Sequence, residues 1–162
     1  MFTALRPYVS TGLVSNRTEG VSAQTFQDLE ADFDLLDDWE ERYRYIIELG
    51  RTLPAFPDAE RTADSKVQGC VSQVWIKSRL ERKDGMTVLS FIGDSDALIV
   101  RGLIAILRIL FNEREAGVVA ATDAGEKLAR LGLNEHLTPQ RSNGLAAMVR
   151  RIKADATAAL AG

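Results

Sequence analysis

The feature that most constrains the fold is a nearly apolar stretch that runs from Ala97 to Phe111. It is shorter than the roughly 20 residues that a helix needs to cross a bilayer, and it contains Arg101 and Arg108. Its apolar residues fall on most faces of a helix, which is typical of an element buried on nearly every side. We therefore expect residues 98–111 to form the central helix of a globular domain.

Two segments before this stretch have the pattern of strands. In residues 71–80 apolar and polar side chains alternate and β-branched residues are frequent. Residues 86–92 have a similar β-propensity, and Asp84-Gly85 between the two segments is a turn signal. Gly93 is expected to end the second strand. The pattern predicts an antiparallel hairpin.

Helices precede this hairpin. From Thr25 onward, apolar residues recur at spacings of three and four, which predicts a helix with one buried face. Asp38 followed by Glu41 fits a capping box, which predicts that a second helix begins there and ends at Gly50. Residues 1–24 show neither periodicity, so we expect a flexible N-terminal extension before a domain that spans residues 25–162.

Helices also follow the central one. Thr122 is placed to cap a short helix that ends at Gly132, and Thr138-Pro139 is an N-cap followed by proline at the first helical position. The order of elements predicts an α+β domain. Its small antiparallel sheet has two clear strands, with a third expected, and is covered by helices.

Composition excludes several classes of function. With 20 basic and 23 acidic residues the net charge is −3, which argues against nucleic acid or a membrane surface as partner. Cys70 is the only cysteine and His136 the only histidine, so a four-thiolate metal site within this chain is impossible. Asp94 and Asp96 precede the central helix, where capping by Asp94 or Ser95 is a better interpretation than metal binding. We assign no metal.

Cys70 is the residue most suited to chemistry, and two interpretations of it remain open. It follows Gln68-Gly69 at a turn before the first strand, where a thiol is accessible to a partner. A free cysteine is also among the residue types most often buried, and it can simply pack. If Cys70 is reactive, the chain has no second thiol to resolve it, so any group it carries must pass to another molecule.

Several motifs carry a more specific signal than these spacings. They are Trp39–Tyr43 with Leu49-Gly50 and Leu53-Pro54, Ser65–Trp75 (SKVQGCVSQVW), Gly93–Asp96 (GDSD) with Ile99–Leu103 (IVRGL), and His136–Leu145 (HLTPQRSNGL). In this order, over residues 26–160, the chain resembles the SufE family of sulfur-acceptor proteins. The resemblance implies a fold like that of the U-type iron–sulfur scaffold proteins, a small sheet covered by helices.

The resemblance also implies a function and a site. It implies a sulfur acceptor and activator of a cysteine desulfurase, with Cys70 as the acceptor that forms a persulfide. Arg141 corresponds to an arginine of the family motif, and a cation near the cysteine would favour a sulfur anion. Asp96, Gln68 and Gly69 are further residues that could support the thiolate or the partner.

The resemblance implies partners as well. These are a cysteine desulfurase of the SufS or CsdA type, which holds the pyridoxal phosphate, and a downstream iron–sulfur scaffold complex. No cofactor is expected in this chain, its location is expected to be cytoplasmic, and it is expected to be a monomer or a homodimer. Whether it counts as an enzyme stays open. The alternative is a protein that binds the desulfurase as a scaffold and carries no sulfur.

One further expectation concerns shelter of the sulfur. A persulfide exposed to free thiols would lose its outer sulfur. Val67, Val71 and side chains of the central helix could form an apolar recess beside the turn. We therefore expect Cys70 to be sheltered in the isolated protein.

Overall fold

Residues 24–161 are described by the computed structural model, and they form an α+β fold with seven α-helices and three strands. The expected extension, residues 1–24, lies outside the described residues except for Gln24. In chain order the elements are α1 (Phe26–Asp34), α2 (Trp39–Gly50), a 3-10 turn (Asp58–Glu60), β1 (Val74–Lys83), β2 (Met86–Ser95), α3 (Leu98–Phe111), β3 (Arg114–Glu115), α4 (Ala116–Ala121), α5 (Ala124–Arg130), α6 (Leu133–His136) and α7 (Pro139–Ala161).

The sheet is antiparallel with strand order β1-β2-β3, so the predicted fold class and the third strand are confirmed. The hairpin pairs Val74 with Ser95 at one end and Lys83 with Met86 at the other. The predicted strand limits were partly wrong. The first strand begins at Val74 rather than at residue 71, because residues 71–73 belong to the turn that carries the cysteine.

Gly93 lies within β2 and does not end it. A Cβ at this position would lie 2.9 Å from Ile104 Cγ2 and 3.1 Å from the carbonyl oxygen of Trp75. The glycine therefore allows the central helix to pack closely on the strand, which is a tertiary role that a local turn signal does not reveal.

The central helix α3 has the predicted bounds. It packs against β2 on one side and crosses α2 on another, with Gly102 of α3 beside Ile46 of α2. Its predicted cap was wrong: Ala97 is the N-cap residue and makes no side-chain cap hydrogen bond, while Ser95 Oγ accepts from the Ala97 N–H at 3.1 Å. In the part of the chain that the structure describes, no helix is long and apolar enough to cross a membrane.

The first two helices begin at capped residues. Thr25 forms a capping box with Asp28 at the start of α1, and Asp38 accepts from the Glu41 N–H at 2.9 Å at the start of α2. The helices are joined by the Tyr45 hydroxyl of α2, which donates to Asp32 of α1. Burial, followed by this hydrogen bond, raises the pKa of Tyr45 to about 12.

The C-terminal helices differ from the prediction at one cap. Thr122 lies at the end of α4, and Asp123 caps α5 by accepting from the Glu126 N–H at 3.0 Å. The Asp side chain has the stronger N-cap preference, which explains the one-residue shift. The last helix begins as predicted: Thr138 Oγ1 accepts from the Arg141 N–H at 3.3 Å, and Pro139 is the first helical residue.

Candidate functional site

The cysteine lies in a short loop, residues 68–72, which we call the Cys70 loop. Its two ends are fixed by hydrogen bonds. Before the loop, the Val67 N–H donates to the Val74 carbonyl at 2.9 Å. After the loop, the Gln73 N–H donates to Asp96 Oδ1 at 3.1 Å, and the Asp96 N–H donates to the Gln73 carbonyl at 3.3 Å. The base of the loop, which we call its neck, is therefore held by hydrogen bonds on both sides.

Cys70 is half-buried and packs against the hydrophobic core. Its sulfur lies against α7 at Gly144, where a Cβ would be only 2.6 Å from Cys70 Sγ. Val67 is buried as expected, but Val71 is 77% exposed. The shelter around the thiol thus comes from α7 and α3 more than from the valine that follows the cysteine.

A cavity of about 230 Å³ adjoins the thiol, and we call it the Cys70 cavity. Apolar side chains come from the central helix and from α7, and polar side chains come from the loop and from the start of α7. Its lining residues are Cys70, Val71, Ser72, Val100, Leu103, Thr138, Gln140, Arg141, Gly144, Leu145 and Met148.

Arg141 lines the same cavity as Cys70, although the two are far apart in sequence. Its Nη1 donates to the Tyr43 hydroxyl at 2.5 Å, and its guanidinium carbon lies 5.9 Å from the centre of the Tyr43 ring. Among residues 24–161 Arg141 forms no ion pair. Arg141 therefore brings a half-buried positive charge, without a carboxylate partner among the described residues, to the cavity that adjoins the thiol.

Of the other predicted site residues, Gln68 and Gly69 belong to the loop, Asp96 binds the residue that follows it, and none of the three lines the cavity. Gln68 is exposed. Gly69 has a φ of 90°, in the left-handed region that favours glycine, and it turns the chain toward Ala147 of α7. Asp96 holds the end of the loop through its hydrogen bond to Gln73. The structure gives each of these residues a place, and their functional roles stay predictions.

Asp94, which we expected to cap α3, instead joins two arginines. Arg61 Nη2 lies 2.7 Å from Asp94 Oδ2, and Arg101 Nε lies 3.3 Å from Asp94 Oδ1. The Arg61 guanidinium also lies 4.9 Å from the ring centre of Trp75 and 5.3 Å from that of Phe56. These contacts hold the segment before the Cys70 loop on the sheet and on α3. The hydrogen bond to Asp94 raises the pKa of Arg61 above its usual value.

His136 does not line the Cys70 cavity. Its ring stacks on Trp39, with ring centres 4.2 Å apart and an angle of 19° between the planes. Within residues 24–161 no three His, Cys, Asp or Glu side chains are grouped so as to hold a metal ion.

Two residues of the site were not singled out from the sequence. Tyr43 was named only as part of the Trp39–Tyr43 motif, and its hydroxyl was a signal that a polar partner would be needed. Gly144 lies in the interior of α7, where glycine is unfavourable and therefore indicates a packing constraint. Neither signal alone names Cys70 or Arg141 as the neighbour.

Comparison with known proteins agrees with this architecture. The model of the SufE family, described as an Fe-S metabolism associated domain, matches residues 27–156. An uncharacterized SufE-like protein of Rhizobium meliloti strain 1021 is 49% identical over 125 residues, which cover 77% of this chain and 89% of that protein. A second uncharacterized SufE-like protein, from Rhizobium etli, is 50% identical over 125 residues, covering 77% of this chain and 84% of that protein.

A solved structure shares the fold. The solution structure of a hypothetical protein from Thermus thermophilus superposes with a TM-score of 0.67 at 22% identity, over 85% of this chain and 96% of that one. The likeness extends to the fold alone. The family match covers most of the chain and connects it with iron–sulfur metabolism. The chain therefore belongs to the SufE family.

Proposed function

We propose that this protein accepts sulfur from a cysteine desulfurase onto Cys70, stimulates that enzyme, and passes the sulfur to the iron–sulfur assembly machinery. The observation that carries the proposal is the position of the only cysteine: it lies in a short loop that is held at both ends, beside a cavity that Arg141 also lines. A cysteine that merely packs requires neither an adjoining cavity nor a cation in the lining of that cavity.

The transfer needs no oxidant or reductant beyond the donor. The Cys70 thiolate attacks the outer sulfur of the donor's cysteine persulfide, and a sulfur–sulfur bond forms as the donor's sulfur–sulfur bond breaks. The electron pair of the broken bond leaves with the donor's inner sulfur as a thiolate. Cys70 is then the persulfide, and the donor is again a free cysteine.

We assign Arg141 to the support of the transferred sulfur. A guanidinium that lines the same cavity attracts the negatively charged persulfide that results from the transfer. The hydrogen bond to Tyr43 holds the guanidinium in place without neutralising it, since the tyrosine hydroxyl is uncharged. The charge is thus available to the sulfur.

The Cys70 cavity supplies shelter for the product. Its volume of about 230 Å³ is several times the roughly 30 Å³ that one water molecule occupies, and a sulfur atom is of similar size. Val100, Leu103, Leu145 and Met148 line it, so a persulfide that points into the cavity is less exposed to thiols in solution than one on the surface. The bound sulfur would survive until a partner draws the loop outward.

The partner is a pyridoxal-phosphate desulfurase of the SufS or CsdA type, and this chain needs no cofactor of its own for the transfer. The acceptor of the sulfur is an iron–sulfur scaffold complex. The reaction suits the reducing cytoplasm, where an unpaired thiol is stable.

A sulfur-free scaffold is the second candidate, and mass spectrometry distinguishes it. The intact protein is incubated with a desulfurase, pyridoxal phosphate and cysteine, and the mass of the peptide containing Cys70 is measured. We expect a gain of one sulfur mass on Cys70 and no gain in Cys70→Ser, which also fails to stimulate the enzyme. Undiminished stimulation by Cys70→Ser would reject the acceptor mechanism in favour of the scaffold.

A further inference from the structure

Gly144 occupies a position where the backbone has no need of glycine. It lies inside the long helix α7, and its φ is not in the left-handed region. Alanine is more favourable than glycine in a helix interior, because glycine loses more conformational freedom on folding. The reason for this glycine must therefore lie in what surrounds it.

A side chain at position 144 would meet only the cysteine. Apart from its two chain neighbours and the backbone of its own helix, the heavy atoms within 4 Å of a Cβ there are Cys70 Sγ at 2.6 Å and Cys70 Cβ at 3.6 Å. Other buried glycines differ: a Cβ at Gly50 or at Gly102 would meet backbone atoms of the neighbouring helix. The space beside Gly50 and Gly102 is filled by a neighbouring helix, whereas the space beside Gly144 is filled by the Cys70 side chain.

We propose that Gly144 is a positioning residue that lets the Cys70 sulfur lie against α7, which we call the closed position, and that this contact holds the Cys70 loop down. The purpose of the closed position, which is to shelter the sulfur between partners, rests on the proposed function. The contact between Cys70 and Gly144 does not depend on that function.

The loop has few other contacts that could hold its tip. Its neck is fixed through Val67 and Gln73, but Val71 is 77% exposed and Gln68 is exposed. Gly69 approaches Ala147 only at ordinary contact distance, 3.5 Å from an ideal Cβ. The seating of Cys70 at Gly144 is therefore the deepest contact between the tip and α7.

The test is the variant Gly144→Ala, with the alkylation rate of Cys70 and the melting temperature as readouts. The only cysteine makes alkylation by iodoacetamide specific. The added methyl excludes the closed position. If about nine tenths of the molecules hold that position in the native protein, its loss makes alkylation about tenfold faster, and this is the increase we expect. The melting temperature should stay the same or rise, because the clash is with the end of one side chain.

Gly117→Ala is the matched control. This glycine also lies in a helix, α4, and a Cβ there meets nothing within 4 Å. Because Gly117 lies in the first turn of α4, the gain is smaller than in a helix interior: the variant should raise the melting temperature by up to about 2 °C and leave the alkylation rate unchanged. A second control places Gly144→Ala in a Cys70→Ala background, where the clash is gone and the rise in melting temperature should be larger than in the native background.

The outcomes separate the two proposals. An alkylation rate unchanged by Gly144→Ala, a large fall in melting temperature, or an equal shift in both backgrounds would each overturn the role of Gly144. None of these measurements involves a desulfurase. Absence of sulfur on Cys70 in the mass-spectrometric experiment would instead reject the proposed function and leave the position of Gly144 unaffected.

Discussion

The substitution Gly102→Ala should destabilise the protein by moving α3 away from α2. A Cβ at Gly102 would overlap the Ile46 carbonyl oxygen and lie 2.5 Å from Ile46 Cγ2, whereas ordinary contact begins at 3.4 Å. The nearest atom belongs to the backbone of a helix and cannot rotate away. The two helices would have to separate by about 1 Å for the methyl to fit.

The magnitude follows from two opposed effects. Overpacking of this kind costs about 3 kcal/mol, and replacing glycine by alanine in a helix interior returns about 1 kcal/mol. The net loss of about 2 kcal/mol corresponds to a fall in melting temperature of about 7 °C for a domain of this size. Because Val100 and Leu103 of α3 line the Cys70 cavity, the movement should also increase the alkylation rate of Cys70.

The assay is thermal or urea unfolding followed by circular dichroism, with Gly117→Ala as the control. The control makes the same chemical change in the first turn of a helix with open space around it, so it should be stabilised slightly, by up to about 0.5 kcal/mol. If Gly102→Ala proved as stable as the unsubstituted protein, the close crossing of α2 and α3 at this glycine would be refuted.

Three further predictions concern the loop, the cation and a tyrosine. Asp96→Ala removes the hydrogen-bond acceptor at the end of the loop and should speed alkylation of Cys70. Asp96→Asn keeps an acceptor oxygen and should change the alkylation rate little. Equal rates in the two variants would contradict this role of Asp96. Arg141→Ala should slow alkylation at neutral pH more than Arg141→Lys does, because only the alanine variant removes the positive charge; identical rates would remove the charge as a cause. Tyr45 should ionise near pH 12, as measured by the ultraviolet absorbance of phenolate. The pKa of Tyr45 in the folded protein lies above the ordinary value of 10.0, so the stability that Tyr45 contributes is present below about pH 10 and is lost as the pH rises through about 12. Tyr45→Phe should abolish this pH dependence of the unfolding free energy.

Elements set by local interactions were predictable from the sequence. The limits of α3, the Asp38 cap and the Thr138-Pro139 start follow from periodicity and capping within a few residues, and the structure has them where they were expected. Elements set by distant partners were not. Gly93 was assigned to a strand end because glycine commonly breaks strands, but its neighbour Ile104 lies on the helix that packs above it.

The site divides in the same way. Asp94 was assigned to a cap, which is a local role, whereas Arg61 and Arg101 bind it from a loop and a helix. The pairing of Cys70 with Arg141 came from the resemblance to a family, since no spacing rule joins residues that far apart. Its geometry, in which both line one cavity, required the fold.

The loop combines a fixed neck with a tip that can be released. The neck is held by backbone hydrogen bonds at Val67 and by Asp96 on the other side, and those bonds involve no atom of residues 68–72. Outward movement of the tip therefore need not break them, and it costs mainly the burial of one half-exposed cysteine against Gly144. The penalty for exposing a side chain of that size is about 1 kcal/mol, which is small beside the free energy that a protein interface supplies. A partner that binds only the open loop could thus shift most molecules to it, and the sulfur would be exposed at the moment when its acceptor is present.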